Sequence, residues 1–268
     1  MPHSSQLYDH RDKQARPVSF VLAHGSWHGG WCWAPVARQL RQAGYEVHCP
    51  SFTGMGDRAH LLSPDVNLET FIEDLVRVIE TEELPPVVLV GHSFGGIPIS
   101  GVADRIPDRL AHLVYLDALV LEDGQHAFSG FPSDEARART QQAAQAEGGL
   151  AVPPPGHLPA AWGIDKGTPL YDWVLRRLTP HPLGAYQQAL TLKHPLGNGV
   201  PCTYVHARAP SHAILDSSRQ RARAQTAWRW REVDAPHELH LTHPDLVAGM
   251  LRELAGESLE DTLRYAEA

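Results

Sequence analysis

Cysteine is scarce in this chain: Cys32, Cys49 and Cys202 are spread over 268 residues. That is too few and too scattered for a disulfide framework or a zinc site built on paired thiolates, so a reduced, cytoplasmic setting is the default expectation. Long hydrophobic runs are missing too, and nothing approaches the roughly 20 apolar residues of a membrane-spanning helix. Met1–Arg16 is polar and lacks the apolar centre of a secretory leader; residues 1–16 are expected to form a flexible tail. There is no surplus of positive charge. Lys and Arg total 23 against 31 Asp and Glu, a net charge of −8, which argues against nucleic acid and anionic membranes as partners. No dinucleotide fingerprint and no phosphate loop occur, so no cofactor is expected. A small molecule is the expected partner, and the sequence leaves open whether the chain forms a homodimer.

What is present is an alternation of buried strands and amphipathic helices, the pattern of a parallel sheet covered on both faces. Val18–Ala23 reads as a strand, followed by the loop His24-Gly25-Ser26-Trp27-His28-Gly29-Gly30-Trp31 and a helix near 33–43. Asn67 is a helix cap ahead of Leu68–Glu82, where Phe71, Leu75, Val78 and Ile79 share a face. Val87–Val90 and His112–Asp117 read as further strands. After Gly124 the rhythm breaks. Prolines punctuate short helical pieces, no strand is evident, and Phe128, Phe131, Trp162, Tyr171, Trp173 and Tyr186 suggest an apolar underside. The expected organisation is a core over 17–123, a helical cap over 124–197, and the rest of the core over 198–268, with about six strands in all.

The chemistry centres on Gly91-His92-Ser93-Phe94-Gly95. Strand before and helix after make this G-x-S-x-G pattern a nucleophile elbow, with Ser93 on a sharp turn above the sheet. A serine hydroxyl needs a base, and the base needs an orienting acid. His237, in the loop after the Trp228–Val233 strand, is the best placed base; His157, His181, His194, His206, His240 and His243 fall in strands, helices or the insertion. The loop after Val200–His206, the usual place for the acid, reads Ala207-Arg208-Ala209-Pro210-Ser211-His212 and holds no carboxylate before Asp216. Asp117 ends an apolar strand, where an idle carboxylate would be costly. It is the favoured acid, ahead of Asp123, Glu122 and Asp216. Backbone N–H groups of Ser26 and Phe94 are the candidate oxyanion hole, with Trp27 second to Ser26. Trp27, His24 and Trp162 are the candidate substrate-binding residues. His237-Glu238-Leu239-His240 spaces its histidines three apart rather than the four of a zinc protease helix, so no metal is expected.

His24–Trp33, Gly54-Met55-Gly56-Asp57-Arg58 and Gly91–Gly96 resemble the α/β-hydrolase superfamily, and more narrowly bacterial EstC-type esterases and the plant hydroxynitrile lyase/methylesterase group. The likeness runs from about Phe20 to Leu254. It implies an α/β-hydrolase fold, a Ser-His-acid triad, no cofactor and hydrolysis of a small hydrophobic or aromatic ester. Lactone, carbamate or amide hydrolysis, a lyase reaction and a non-catalytic binding module are the rivals. Two departures stand out. Glu238 occupies the place of the lyases' cyanide-handling lysine, and a negative charge there would repel cyanide. Arg208 stands near the family's usual acid position. Asp117 instead matches the arrangement of haloalkane dehalogenases and zearalenone lactonase; a dehalogenase nucleophile would be aspartate, which Ser93 excludes.

Overall fold

The strands lie where the apolar runs end in glycine-rich turns, and their alternation sorts the core into two layers. The structure, a computed structural model, describes residues 18–130, 133–146, 148–154 and 158–266. The expected tail, Phe131 and His157 lie outside the described residues. In chain order come β1 (Ser19–Ala23), α1 (Ala34–Gln42), β2 (Val47–His48), α2 (Leu68–Thr81), β3 (Val87–His92), α3 (Gly96–Arg105) and β4 (Leu110–Leu116). The middle stretch holds α4 (Asp134–Ala146), β5 (Ala151–Val152), α5 (Leu158–Ala161), α6 (Pro169–Leu175), β6 (His181–Pro182) and α7 (Leu183–Gln187). Then follow β7 (Cys202–Ala207), α8 (Asp216–Ala224), β8 (Arg229–Val233), α9 (Leu239–Thr242) and α10 (Pro244–Ala266). No helix among the described residues is long and apolar enough to cross a membrane.

Six strands form one parallel sheet in the order β2-β1-β3-β4-β7-β8. β1 and β3 are buried along their whole length, as strands covered on both faces must be. Successive side chains feed opposite layers. Val21, Ala23, Val87 and Leu89 join the core under α2 and α3. Phe20, Leu22, Val88 and Val90 join the core under α1 and α10. The edge strand β8 is largely polar and half exposed, with Arg229, Arg231 and Glu232 along it, a composition that discourages edge pairing.

Asn67 caps α2 in a reciprocal box with Thr70, a device worth about 1 kcal/mol. Phe71 on the buried face of that helix stacks on Phe52 (centroids 4.4 Å apart) and meets Phe94 edge-on at 6.1 Å. The Gly54–Arg58 motif ties loops together: Arg58 Nη1 donates to Asp74 Oδ1 (2.9 Å), whose carboxylate also accepts from Thr53, and Gly30 N donates to Ser51 Oγ (2.8 Å).

Two features differ from the sequence expectation. β5 and β6 form a two-stranded antiparallel ladder inside the stretch expected to be purely helical. Each strand has two residues, one of them Pro182, so no periodicity could reveal it. The last helix extends to Ala266 rather than ending near Leu254.

Phe71→Ala removes the ring linking α2 to the residue after Ser93, and is expected to cost about 3–5 kcal/mol, read as a lower urea midpoint with unchanged m-value.

Candidate active site

Loops after β1, β3, β4 and β8 meet at one edge of the sheet, where strand order reverses between β2-β1 and β3-β4. In open parallel sheets this is where ligands bind. Ser93 follows β3 directly and has φ +54. A Cβ on Gly91 would lie 2.5 Å from Gly95 O, and one on Gly25 would lie 2.9 Å from Ser93 Cβ. The elbow closes this tightly because both positions are glycine. Trp27 (φ +64) and Asp117 (φ +41) are likewise left-handed non-glycine residues. Strain of this kind, about 1–3 kcal/mol per residue, persists only where the surroundings over-determine it. At the elbow Leu119 N donates to Ser93 O (2.8 Å).

Ser93 Oγ donates to His237 Nε2 at 3.1 Å, and His237 Nδ1 donates to Asp117 Oδ2 at 2.7 Å. Asp117 is fully buried at the end of β4. Its other oxygen accepts from Ala207 N (3.3 Å) at the end of β7 and faces Arg219 Nη1 at 3.6 Å. Burial pushes the Asp117 carboxyl up to about 7, against the opposing pull of Arg219, the Ala207 N–H, His206 and His212. Burial holds His237 well below the usual imidazole range, helped by His212, His28 and Arg219. His237 is therefore a neutral ring with its Nε2 lone pair aimed at Ser93, the arrangement that turns a hydroxyl into a nucleophile.

The other sequence candidates are dispersed. Asp123 accepts from Leu192 N (2.8 Å), Asp216 pairs with Arg219, and Arg208 pairs with Asp234 at 2.7 Å. His194 lies against Asp104, and His181 is buried in the insertion against Phe94 (4.5 Å) and Tyr186 (4.4 Å).

Ser93 opens into a cavity of about 510 Å³ whose core-side wall includes Ser26, Trp27, Phe94, His212 and Glu238. Ala127, Ala136, Thr140, Ala161, Trp162 and Tyr186 of the insertion form the opposite wall. Ser26 and Phe94 thus both stand beside Ser93, and Tyr186 Oη fixes Ser26 by donating to its Oγ (2.8 Å). Trp27 and Trp162 stack at 5.9 Å. The expected apolar underside is divided. Phe128 stacks on Tyr186 (5.4 Å), whereas Trp173 packs on Trp31 (5.0 Å) and Tyr171 enters the core layer under α1.

His24 corrects the sequence reading. It is fully buried, its Nδ1 donates to Gly25 O (2.8 Å), its Nε2 accepts from Phe52 N (3.1 Å), and it does not line the cavity. Burial lowers it to about 3. It is a neutral tether for the loop after β1, not a substrate contact. Arg219 and Glu238 are the functional candidates that sequence reasoning passed over or treated only as a departure. An arginine on a polar helix carries no local signal of its partner.

Among the described residues, one group, His92, His237 and Glu238, brings ligand-capable atoms within 4.8 Å of one another. His237 already uses both ring nitrogens, and His92 Nε2 donates to His237 O (2.9 Å), so an ion there would have to displace the Ser93 contact.

The alpha/beta hydrolase family model matches residues 20–250. The carbendazim hydrolyzing esterase of Nocardioides sp. (strain SG-4G) is 43% identical over 183 residues, 65% of this chain and 74% of that protein. Putative methylesterase 14, chloroplastic, of Arabidopsis thaliana is 32% identical over 116 residues, 43% of this chain and 33% of that protein. An extracellular alpha/beta-hydrolase from a Paenibacillus species superposes with a TM-score of 0.77 at 25% identity, covering 89% of this chain and 99% of that one.

Arg219→Met removes the guanidinium that stands 3.6 Å from Asp117. The carboxyl should then titrate above the wild-type value of about 7, followed by ¹³C NMR on labelled aspartate; an unshifted titration would mean that Arg219 does not act on Asp117.

Proposed function

Since the chain belongs to the alpha/beta hydrolase family, we propose that Ser93, His237 and Asp117 are its catalytic triad and that Ser26 and Phe94 N–H groups form its oxyanion hole. The protein is a carboxylic ester hydrolase, like its esterase relatives. The observation that carries the residue assignment is the hydrogen-bonded chain from Ser93 Oγ through His237 to the buried Asp117.

The chemistry follows from that chain. His237 Nε2 takes the Ser93 proton as Oγ attacks the ester carbonyl. Asp117 keeps the ring in the productive tautomer and stabilises the imidazolium that forms. The carbonyl oxygen becomes an oxyanion between the loop after β1 and the elbow, at the start of α3, where free N–H groups favour negative charge. The imidazolium protonates the departing alkoxide. A water then enters, His237 removes its proton, and the acyl group leaves as the acid. The insertion over 124–197 acts as a cap: it supplies half of the cavity wall, and its aromatics favour a small hydrophobic or aromatic acyl or alkyl group. Lactone, carbamate and amide bonds are open to the same apparatus.

A lyase reading on cyanide finds no support here, for a reason other than charge repulsion. Burial raises Glu238 to about 8, so it is protonated at neutral pH, and among the described residues no lysine or arginine lines the cavity. A binding module without turnover would have no use for a base aligned on Ser93.

A fluorophosphonate probe should label Ser93 alone, seen by peptide mass mapping, and Ser93→Ala should lose both label and esterase turnover while melting like the parent. Asp117→Asn should lower kcat on the order of 10⁴-fold. With Asp117 raised to about 7, kcat/KM should fall as pH drops through 7, because the orienting carboxylate is lost on protonation. A flat profile from pH 5 to 8 would mean that Asp117 stays ionised throughout that range, and the loss in Asp117→Asn then remains the test of its role.

A further inference from the structure

Behind the cavity, buried polar atoms converge without partners. Glu238 is 1% exposed, yet it lines the cavity beside His237. Its backbone is fixed: Glu238 N donates to Trp162 O (3.3 Å), and Glu238 O accepts from Leu241 N (2.9 Å) and Thr242 N (3.0 Å). Its side-chain Oε2 has no hydrogen bond, and neither do His28 Nε2, His92 Nδ1 or either nitrogen of His240. The nearest of these, His240 Nε2 and His28 Nε2, stand 3.5 and 3.6 Å from Oε2. His28 Nδ1 donates to Ser26 O (2.8 Å), so its Nε2 is a bare lone pair.

The titratable groups facing Glu238 are His28 from the loop after β1, Cys32 from the turn before α1, His92 from β3, His237 beside it and His240 from α9. None is a fixed cation. Burial lowers His28 to about 4, holds His92, His237 and His240 well below the usual range, and raises the Cys32 thiol. An ionised carboxylate among neutral rings would be uncompensated and costly. The protonated acid carries one O–H donor, and a buried donor left unpaired costs about 1–3 kcal/mol. Oε2 is closed off between His28 and His240, so a partner can meet the carboxyl only on the face of the side chain that lines the cavity.

We propose that Glu238 is a specificity-determining residue whose carboxylic acid donates a hydrogen bond to the bound ester, and that the preferred substrates are aromatic esters bearing an uncharged acceptor, such as a ring nitrogen. This rests on the ester-hydrolase reading. The aromatic part follows from the lining: Trp27, Trp162, Phe94 and Tyr186 all border the cavity, with Trp27 and Trp162 stacked on each other at 5.9 Å and Phe94 and Tyr186 edge to face at 5.4 Å. The acceptor part follows from Glu238, the one carboxyl among the lining residues. A site built to satisfy a polar group discriminates strongly against an analogue lacking it.

The test compares p-nitrophenyl benzoate with the three isomeric p-nitrophenyl pyridinecarboxylates on the wild type, Glu238→Gln and Glu238→Met. The readout is kcat/KM for the best pyridine ester divided by that for the benzoate. That ratio should fall about ten-fold in Glu238→Met, the worth of one hydrogen bond. Glu238→Gln, whose amide still donates, should retain most of it. As pH rises through about 8, the wild-type ratio should fall with loss of the O–H, and the Glu238→Gln ratio should stay level. Calorimetric binding of methyl nicotinate and methyl benzoate to Ser93→Ala, with and without Glu238→Met, gives the same comparison without turnover. Ratios equal in wild type and Glu238→Met for every isomer, with no difference in binding, would overturn the proposal and show that Glu238 is satisfied inside the protein. Absence of turnover on all four esters together with no fluorophosphonate label on Ser93 would instead overturn the ester-hydrolase reading.

Discussion

The contact that the reactive edge depends on is the 2.7 Å hydrogen bond from His237 Nδ1 to Asp117. It spans 120 residues of sequence and joins the ends of β4 and β8, which are not neighbours: β7 runs between them. The intervening strand contributes as well, through Ala207 N to the free oxygen of Asp117. Three strand ends are thus fastened to one buried carboxylate. Arg219, itself largely buried, offsets part of the cost of holding that charge away from water. With the proposed acid after β4, the loop after β7 instead brings His212 onto the His237 ring at 4.8 Å.

The strands and most helices were legible because they obey short-range rules. Val87–Val90 is apolar on both faces, Asn67 and Thr70 form a cap at the expected offset, and Gly91 and Gly95 sit where a side chain would strike backbone. Asp117 could be singled out because a carboxylate rarely ends an apolar strand without a partner. Other features depend on contacts that no local pattern encodes. His24 reads as a polar loop residue at a sheet edge, and only the fold shows that Phe52 N and Gly25 O occupy both its nitrogens. Glu238 stands out in the sequence only as the residue in place of the lyases' lysine, and its burial in the cavity wall against Trp162 depends on the packing of the insertion.

The insertion gives the edge its enclosure. Among the described residues it is held by short helices and a ladder of two-residue strands, yet it supplies Trp162 and Tyr186 to the cavity lining. The core brings the reactive atoms and the insertion brings the shape, so changes in one need not disturb the other. Tyr186 is the exception, because it both lines the cavity and fastens Ser26.

Trp27 extends that exception. Its carbonyl accepts from Thr179 N (2.9 Å), and its indole N–H donates to Val152 O (3.0 Å), both in the insertion, while it directly follows Ser26. The insertion and the loop that carries Ser26 are therefore mechanically linked. The insertion cannot lift away without either breaking these bonds or dragging the residue beside Ser26 with it. Any displacement of the insertion would thus be felt at the loop that carries Ser26, one of the proposed oxyanion donors, as well as at the cavity wall.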